Sequence, residues 1–273
     1  MSDDPSRSNA DHSPVVPGRR KFLITGLGAA AATLMSFAVA GKLTQPAGAA
    51  VGKKQVQGAV VTPMRIGVIG AGWLGGTVGR ILVQAGHEVL FSSRHPAELI
   101  PMARELGPRA TVGTPLQAAQ FGTVLIFAVP YDALPQLGLE LKEAMRGKVV
   151  LDACNPAPGS GSALAREAEA NGVAETSAKY LSGTRLVRAF SAVDASAVEA
   201  SASGPGGKLG VPIAGNDEKA VQVAAQLVRD TGCEPVVVGN GTEARSFQRG
   251  GPGFRANTTA PKLRRLLGLP DRS

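Results

Sequence analysis

The stretch Arg65-Ile66-Gly67-Val68-Ile69-Gly70-Ala71-Gly72-Trp73-Leu74-Gly75 runs an apolar, β-forming segment into three glycines spaced G-x-G-x-x-G. A helical pattern from Trp73 to Ala85 follows, then a second apolar run from Glu88 to Ser92. Strand, glycine turn and helix inside one βαβ unit make a phosphate cradle, and each glycine answers a different demand. Gly70 permits the tight turn, Gly72 lets a pyrophosphate approach the backbone, and Gly75 lets the helix pack close to the strand. Ala71, Trp73 and Leu74 complete the loop, whose helix N-terminus offers free amides and the positive end of its dipole to phosphate.

Downstream, short Val/Ile-rich runs alternate with helical patterns, which predicts an α/β fold with a doubly wound, largely parallel sheet. Strands are expected at 65–69, 88–92, 110–112, 123–128, 149–153, 185–190, 210–214 and 235–238. Helices are expected at 73–85, 96–105, 116–119, 133–145, 163–170, 192–200, 218–231 and 261–267. The organisation that follows is a leader over 1–49, a linker over 50–63, a nucleotide-binding domain over 64–248 and a tail over 249–273.

The end of the second strand reads Ser92-Ser93-Arg94-His95. A site for NAD places Asp or Glu there to hold the ribose 2′-hydroxyl. Hydroxyls and a guanidinium instead suit a 2′-phosphate through charge-assisted bonds, which selects NADP(H). The fourth strand ends in Ala128-Val129-Pro130 and the fifth in Cys154-Asn155-Pro156, both at the carboxyl edge where doubly wound proteins bind ligands. Pro130 and Pro156 end their strands and shape a groove for the nicotinamide, or simply terminate the strands. Asn155 offers an amide to a carboxamide or substrate carbonyl, or closes an Asx turn. Cys154 touches the nicotinamide side or is a small buried hydrophobe.

Composition excludes several classes. With 44% hydrophobic and 18% charged residues the chain is globular rather than disordered. Two cysteines make neither a disulfide scaffold nor a four-thiolate metal site, so no metal is expected. Cys154 and Cys233 are expected at opposite edges of a parallel sheet and unbonded. Residues 1–49 carry five Lys/Arg and three Asp/Glu, so +6 of the formal +8 is spread thinly over the remainder. With 4% aromatic residues and no basic arm, nucleic acid is not an expected partner. The three histidines, His12, His87 and His95, complete no Ser/His/Asp or Cys/His set, and no catalytic residue is named.

The amino-terminal segment reads as an export signal. Gly18-Arg19-Arg20-Lys21-Phe22-Leu23 opens an uncharged run from Phe22 to Gly41, and Ala47-Gly48-Ala49 supplies a small-residue cleavage pattern. This is a twin-arginine signature, which implies the twin-arginine export machinery as a partner and a periplasmic or other extracytoplasmic location. An uncleaved membrane anchor is the alternative, although the run is rich in Ala and Gly.

The chain resembles the NADPH-dependent coenzyme F-420 reductase family, related to the N-terminal domains of pyrroline-5-carboxylate reductases. The likeness is carried by Met64–Gly72, Ser92-Ser93-Arg94, Ala128-Val129-Pro130, Asp152–Pro156, Arg188-Ala189-Phe190-Ser191 and Pro212-Ile213-Ala214-Gly215. It implies one Rossmann-type domain with a compact C-terminal part, a homodimer, and direct hydride transfer between NADP(H) and a deazaflavin, flavin or other small redox acceptor. Many relatives carry Asn-Thr where this chain has Ser191-Ala192, which removes polar groups from the cleft. A non-catalytic NADP(H)-binding module is therefore an alternative. An imine or hydroxy-acid reductase would need a proton donor, and Lys179 and Tyr180 read as a solvated helix end instead. The Gly-rich stretch Arg249–Phe254 either closes over the site or is a flexible tail.

Overall fold

The computed structural model describes residues 62–204 and 206–270. The export signature, its cleavage pattern and residues 50–61 of the linker lie outside the described residues. The first half contains β1 (Arg65–Ile69), α1 (Trp73–Gln84), β2 (Glu88–Ser92), α2 (Ile100–Leu106), β3 (Ala110–Gly113), α3 (Pro115–Phe121), β4 (Val124–Phe127), α4 (Leu134–Glu140), α5 (Lys142–Met145) and β5 (Val149–Asp152). The second contains α6 (Ala163–Asn171), α7 (Val173–Tyr180), β6 (Arg185–Arg188), α8 (Ala195–Ser203), β7 (Gly210–Gly215), α9 (Glu218–Asp230), β8 (Glu234–Gly239) and α10 (Ala260–Leu266).

The eight strands form one sheet in the order β3-β2-β1-β4-β5-β6-β7-β8. The first six strands are parallel, β7 runs antiparallel to β6 over two residue pairs, and β8 is parallel to β7. This is a Rossmann-like, doubly wound α/β fold with a short C-terminal addition. The chain winds outward in one direction from β1 to β3 and in the other from β4 to β6. Their carboxyl ends part between β1 and β4, the switch point where such sheets open a crevice.

Burial on both faces explains why the central strands are continuously apolar: every residue of β4 and β5 is buried. One face packs Val78 and Leu82 of α1, Val198 of α8 and Leu227 of α9. The other packs Ala118 of α3, Leu134 of α4, Met145 of α5 and Ala168 of α6. Each such side chain taken from water contributes roughly 1.5–3 kcal/mol for the larger aliphatics.

All eight expected strands are present, and the differences lie in the helices. The expected helix over 133–145 is split: a 3-10 turn at Tyr131–Ala133 leads into α4, and the chain leaves helical geometry at Leu141 before α5. Pro135 sits in the first turn of α4, where its missing N–H costs nothing. The expected helix over 96–105 likewise opens as a 3-10 turn, because Pro101 restarts it as α2. The helix α7 has no counterpart among the expected ranges, although Lys179 and Tyr180 read as a helix end; Gly172, at φ 97°, ends α6 and turns the chain directly into it. The expected helix over 192–200 begins instead at Ala195, after Phe190 adopts φ 59° and ends the strand path early.

The two cysteines are free, as expected, but not for the expected reason. The direction of β8 opposes that of β1–β6, so the parallel-sheet argument does not apply to Cys233. The sheet itself separates them: Cys154 belongs to one core face and Cys233 to the other.

The packing of α4 on α7 depends on Gly138, where a β-carbon would stand 2.0 Å from the Tyr180 carbonyl oxygen. Backbone cannot yield as a side chain can. Gly138→Ala is expected to destabilise the protein by about 1–3 kcal/mol, read as a lower urea midpoint at unchanged slope.

Candidate functional site: the glycine-loop cavity

The loop between β1 and α1 is held from beneath. The amides of Gly70 and Ala71 both donate to the Ser92 carbonyl, at 3.2 and 2.8 Å. Gly70 takes φ 96°, and a β-carbon there would stand 2.5 Å from the Ala128 carbonyl oxygen. At Gly75 it would stand 2.2 Å from the Gly70 carbonyl oxygen, whereas at Gly72 it would meet nothing within 4 Å. Gly70 and Gly75 thus take the turn and close-packing roles expected of them, and the space beside Gly72 is open.

The first intrahelical bond of α1 is from Gly76 N–H to the Gly72 carbonyl at 2.7 Å. The amides of Gly72, Trp73, Leu74 and Gly75 precede it and are the orphan donors of the helix start. No side chain caps this terminus and no acid lies in its first turn. Free amides, a positive dipole end and an open glycine suit a phosphate group.

Above the loop lies a cavity of about 730 Å³. Gly70, Ala71, Gly72, Ser93, Arg94, Ala128, Val129 and Pro130 line it, bringing together eight of the fifteen residues selected from sequence. Arg94 is exposed and makes no ion pair among the described residues. Ser93 Oγ accepts the His95 N–H at 2.9 Å, which leaves its own hydrogen free to donate. Glycine loop, Ser93 and Arg94 lie along one cavity, as a dinucleotide with a 2′-phosphate requires.

Seven selected residues take other positions. Trp73 is 71% exposed, Leu74 is half-buried against the core, Gly75 is buried beneath the loop, and none of the three lines the cavity. Ser92 does not reach the cavity: it is fully buried and its hydroxyl donates to the Val68 carbonyl at 2.8 Å. Cys154 is also buried, and burial pushes its thiol well above the usual range, so it remains an unreactive thiol. Asn155 is engaged on both sides, accepting from Arg188 Nη2 at 2.9 Å and donating to the Ser191 carbonyl at 2.7 Å. Pro156 lines a separate hollow.

The sequence reading did not select Asp152 and Arg188 as site residues. They pair in register between β5 and β6, bonded at 2.6 Å and almost wholly buried. Arg188 also donates to the Cys154 carbonyl at 2.7 Å, so it shapes the turn after β5. An Asp and an Arg ending otherwise apolar strands were the available signal. The far walls, Thr114 and Pro115 after β3, Ala133 at the end of the 3-10 turn, and Gln136 and Leu137 on α4, were also missed. Only the strand order brings them to the glycine loop.

His95 and Glu98, on the Arg94 side, and Glu140, on α4, are the acid–base groups of the cavity lining. Tyr131 lies behind it, its hydroxyl donating to the Val173 carbonyl at 3.2 Å, and burial pushes its pKa up to about 12. Lys179 and Tyr180 both bind Glu167, at 2.6 and 2.8 Å, in keeping with the helix-end reading.

Residues 65–156 match the family described as NADP oxidoreductase coenzyme F420-dependent. The match contains the glycine loop, Ser93 and Arg94, and the strand ends at Pro130 and Pro156. Among solved structures, a hypothetical protein from Sinorhizobium meliloti is 24% identical, covering 71% of this chain and 94% of that one, with a TM-score of 0.59. A protein provisionally named an F420-dependent NADP-reductase, from Arthrobacter sp. FB24, is 22% identical over 67% of this chain and 88% of that one, with a TM-score of 0.57. These two likenesses establish the fold. The family match gives the nucleotide-binding half its similarity to NADP-dependent oxidoreductases.

Two glycine substitutions separate binding from folding. Gly72→Ala is expected to leave stability within about 1 kcal/mol of wild type while weakening NADPH binding, because its methyl enters the space a phosphate needs. Gly75→Ala is expected to lower the urea midpoint as well, because its methyl meets backbone.

Proposed function

We propose that the chain is an NADP(H)-dependent oxidoreductase that transfers hydride between the nicotinamide and a small redox acceptor of deazaflavin, flavin or similar type. The supporting observation is the cavity in which an uncapped helix start, an open Gly72, Ser93 and an unpaired Arg94 share one wall line. When bound, the reduced nicotinamide supplies a hydride, both electrons of its C4–H bond leaving with the hydrogen, and water supplies the acceptor's second hydrogen as a proton. The protein's part is to bind and orient. Amides of the α1 start hold the pyrophosphate, Ser93 and Arg94 hold the 2′-phosphate, and Val129 and Pro130 border the nicotinamide end.

A non-catalytic NADP(H)-binding module is the second reading. It draws on Ser191, whose hydroxyl is buried without a hydrogen-bond partner, and on Asn155, already bonded on both sides. NADPH oxidation with an added acceptor separates the two.

Binding is tested by titrating NADPH and NADH against the fluorescence of Trp73, the single tryptophan. NADPH should bind more tightly, and Arg94→Ala should weaken NADPH roughly 10- to 100-fold while changing NADH less than about twofold. Equal losses for both nucleotides would refute the 2′-phosphate role. Export is proposed from Arg19-Arg20 and the uncharged run after them. Replacing both arginines by lysine should retain the protein in the cytoplasmic fraction, whereas undiminished export would remove the twin-arginine route.

A further inference from the structure

The wall of the glycine-loop cavity that carries Ser93 and Arg94 continues into His95, a residue to which the nucleotide reading gives no task. Its place on that wall is set by backbone bonds on both sides. The His95 N–H donates to Ser93 Oγ at 2.9 Å, and the His95 carbonyl accepts the Glu98 N–H at 3.2 Å. His95 thus stands at the start of the 3-10 turn Pro96–Leu99, where Pro96 restricts the backbone directly after it. The residue is exposed, and its ring makes no hydrogen bond or ion pair among the described residues.

The charges around this imidazole are opposed. Arg94 precedes it, Glu98 follows on the 3-10 turn, and Glu140 lines the wall contributed by α4, where it accepts Gln136 Nε2 at 2.7 Å. β3 and the Thr114-Pro115 wall bring no charge, and Arg104 and Glu105 of α2 line no part of the cavity. One arginine therefore stands against two carboxylates in the lining. With a neutral imidazole the carboxylates are in excess, which is a poor field for a phosphate monoester; with a protonated one the two signs balance. An imidazole is the side chain whose ordinary titration lies between pH 5 and 8, and both of its ring nitrogens donate only when it is protonated.

We propose that His95 is a pH-dependent specificity residue of the nucleotide site. Its protonated ring joins Ser93 and Arg94 on the 2′-phosphate, so it adds to the preference for NADP(H) over NAD(H) on the acid side of neutrality and withdraws that addition on the alkaline side. The inference rests on the placement of the 2′-phosphate given under the proposed function. Its sign follows from linkage: a phosphate beside the ring favours the charged imidazole, so the nucleotide binds with uptake of a proton, and the affinity gained is lost as the pH rises through the titration of the ring. A phosphate monoester itself gains a proton at about pH 6, which acts in the opposite direction, so the part played by His95 is read as a difference between two proteins.

NADP+ and NAD+ are titrated calorimetrically into the full-length protein and into His95→Gln, at about pH 6.5 and about pH 8. On lowering the pH, the ratio of NADP+ to NAD+ affinity should rise about two- to fivefold more in the wild type than in His95→Gln, the range of an exposed charge pair. Repeating the titrations in buffers of different ionisation enthalpy should show the wild type taking up more protons than His95→Gln with NADP+, and no difference between the two with NAD+. Unchanged NAD+ affinity in the variant shows that its fold is intact, and a merely structural His95 would not move the proton count. The same pH dependence in both proteins, or equal proton uptake with NADP+, would overturn the role of His95 and leave that of Arg94 standing if Arg94→Ala still removes the preference. No preference for NADP+ at either pH would overturn the 2′-phosphate reading and this proposal with it.

Discussion

The carboxyl edge of this sheet is organised by one buried ion pair. Arg188, the largest fully buried side chain among the described residues, lies beside Asp152 across the β5–β6 ladder, where neither charge can reach water. Such a pair is tolerated only when its remaining hydrogen-bonding capacity is also met, and losing one partner typically costs about 3–5 kcal/mol. The turn after β5 meets that demand with the Cys154 carbonyl and the Asn155 side chain, while Asp152 accepts the Cys154 N–H at 2.9 Å. Asn155 then bonds the Ser191 carbonyl, which draws the turn after β6 into the same network. Two adjacent strand ends are thereby fixed relative to each other.

The glycine loop meets a parallel constraint with backbone alone. Its first amides are satisfied by Ser92, its carbonyl lies under α1, and the next amides remain free at the helix start. A phosphate placed there completes the hydrogen bonding of a terminus that nothing else caps. The strap formed by residues 248–257 is held by side chains instead, chiefly Asp194 and Gln248. One half of the carboxyl edge is therefore a loop held by its own backbone, and the other is a hollow walled by a loop that side chains pin.

Much of this was readable before the fold was known. The eight strands, the turn and packing roles of Gly70 and Gly75, and the open approach at Gly72 depend on local conformation and nearest neighbours. The polar signature Ser93-Arg94 was readable because the strand before it sets its position at the edge. The helices were read less well where proline and glycine intervene, as at Pro101, Pro135 and Gly172, since a short element there is decided by which residues must reach the core. Side-chain roles at strand ends were read least well. Ser92 and Asn155 looked available to a ligand because their types suit one, yet Val68, Arg188 and Ser191 occupy their hydrogen bonds.

Periodicity and the glycine spacing were sufficient for the fold class and the conformation of the glycine loop, because both follow from backbone conformation within some 30 consecutive residues. Tertiary structure decided which polar side chains remain free. Asp152 and Arg188 are 36 residues apart and meet only through strand pairing, and Gln248 and Val173 are 75 apart and meet only through the return of the C-terminal strap. A hydrogen bond formed across such a distance leaves no local pattern, and it alone determines whether a residue supports the site or faces its ligand.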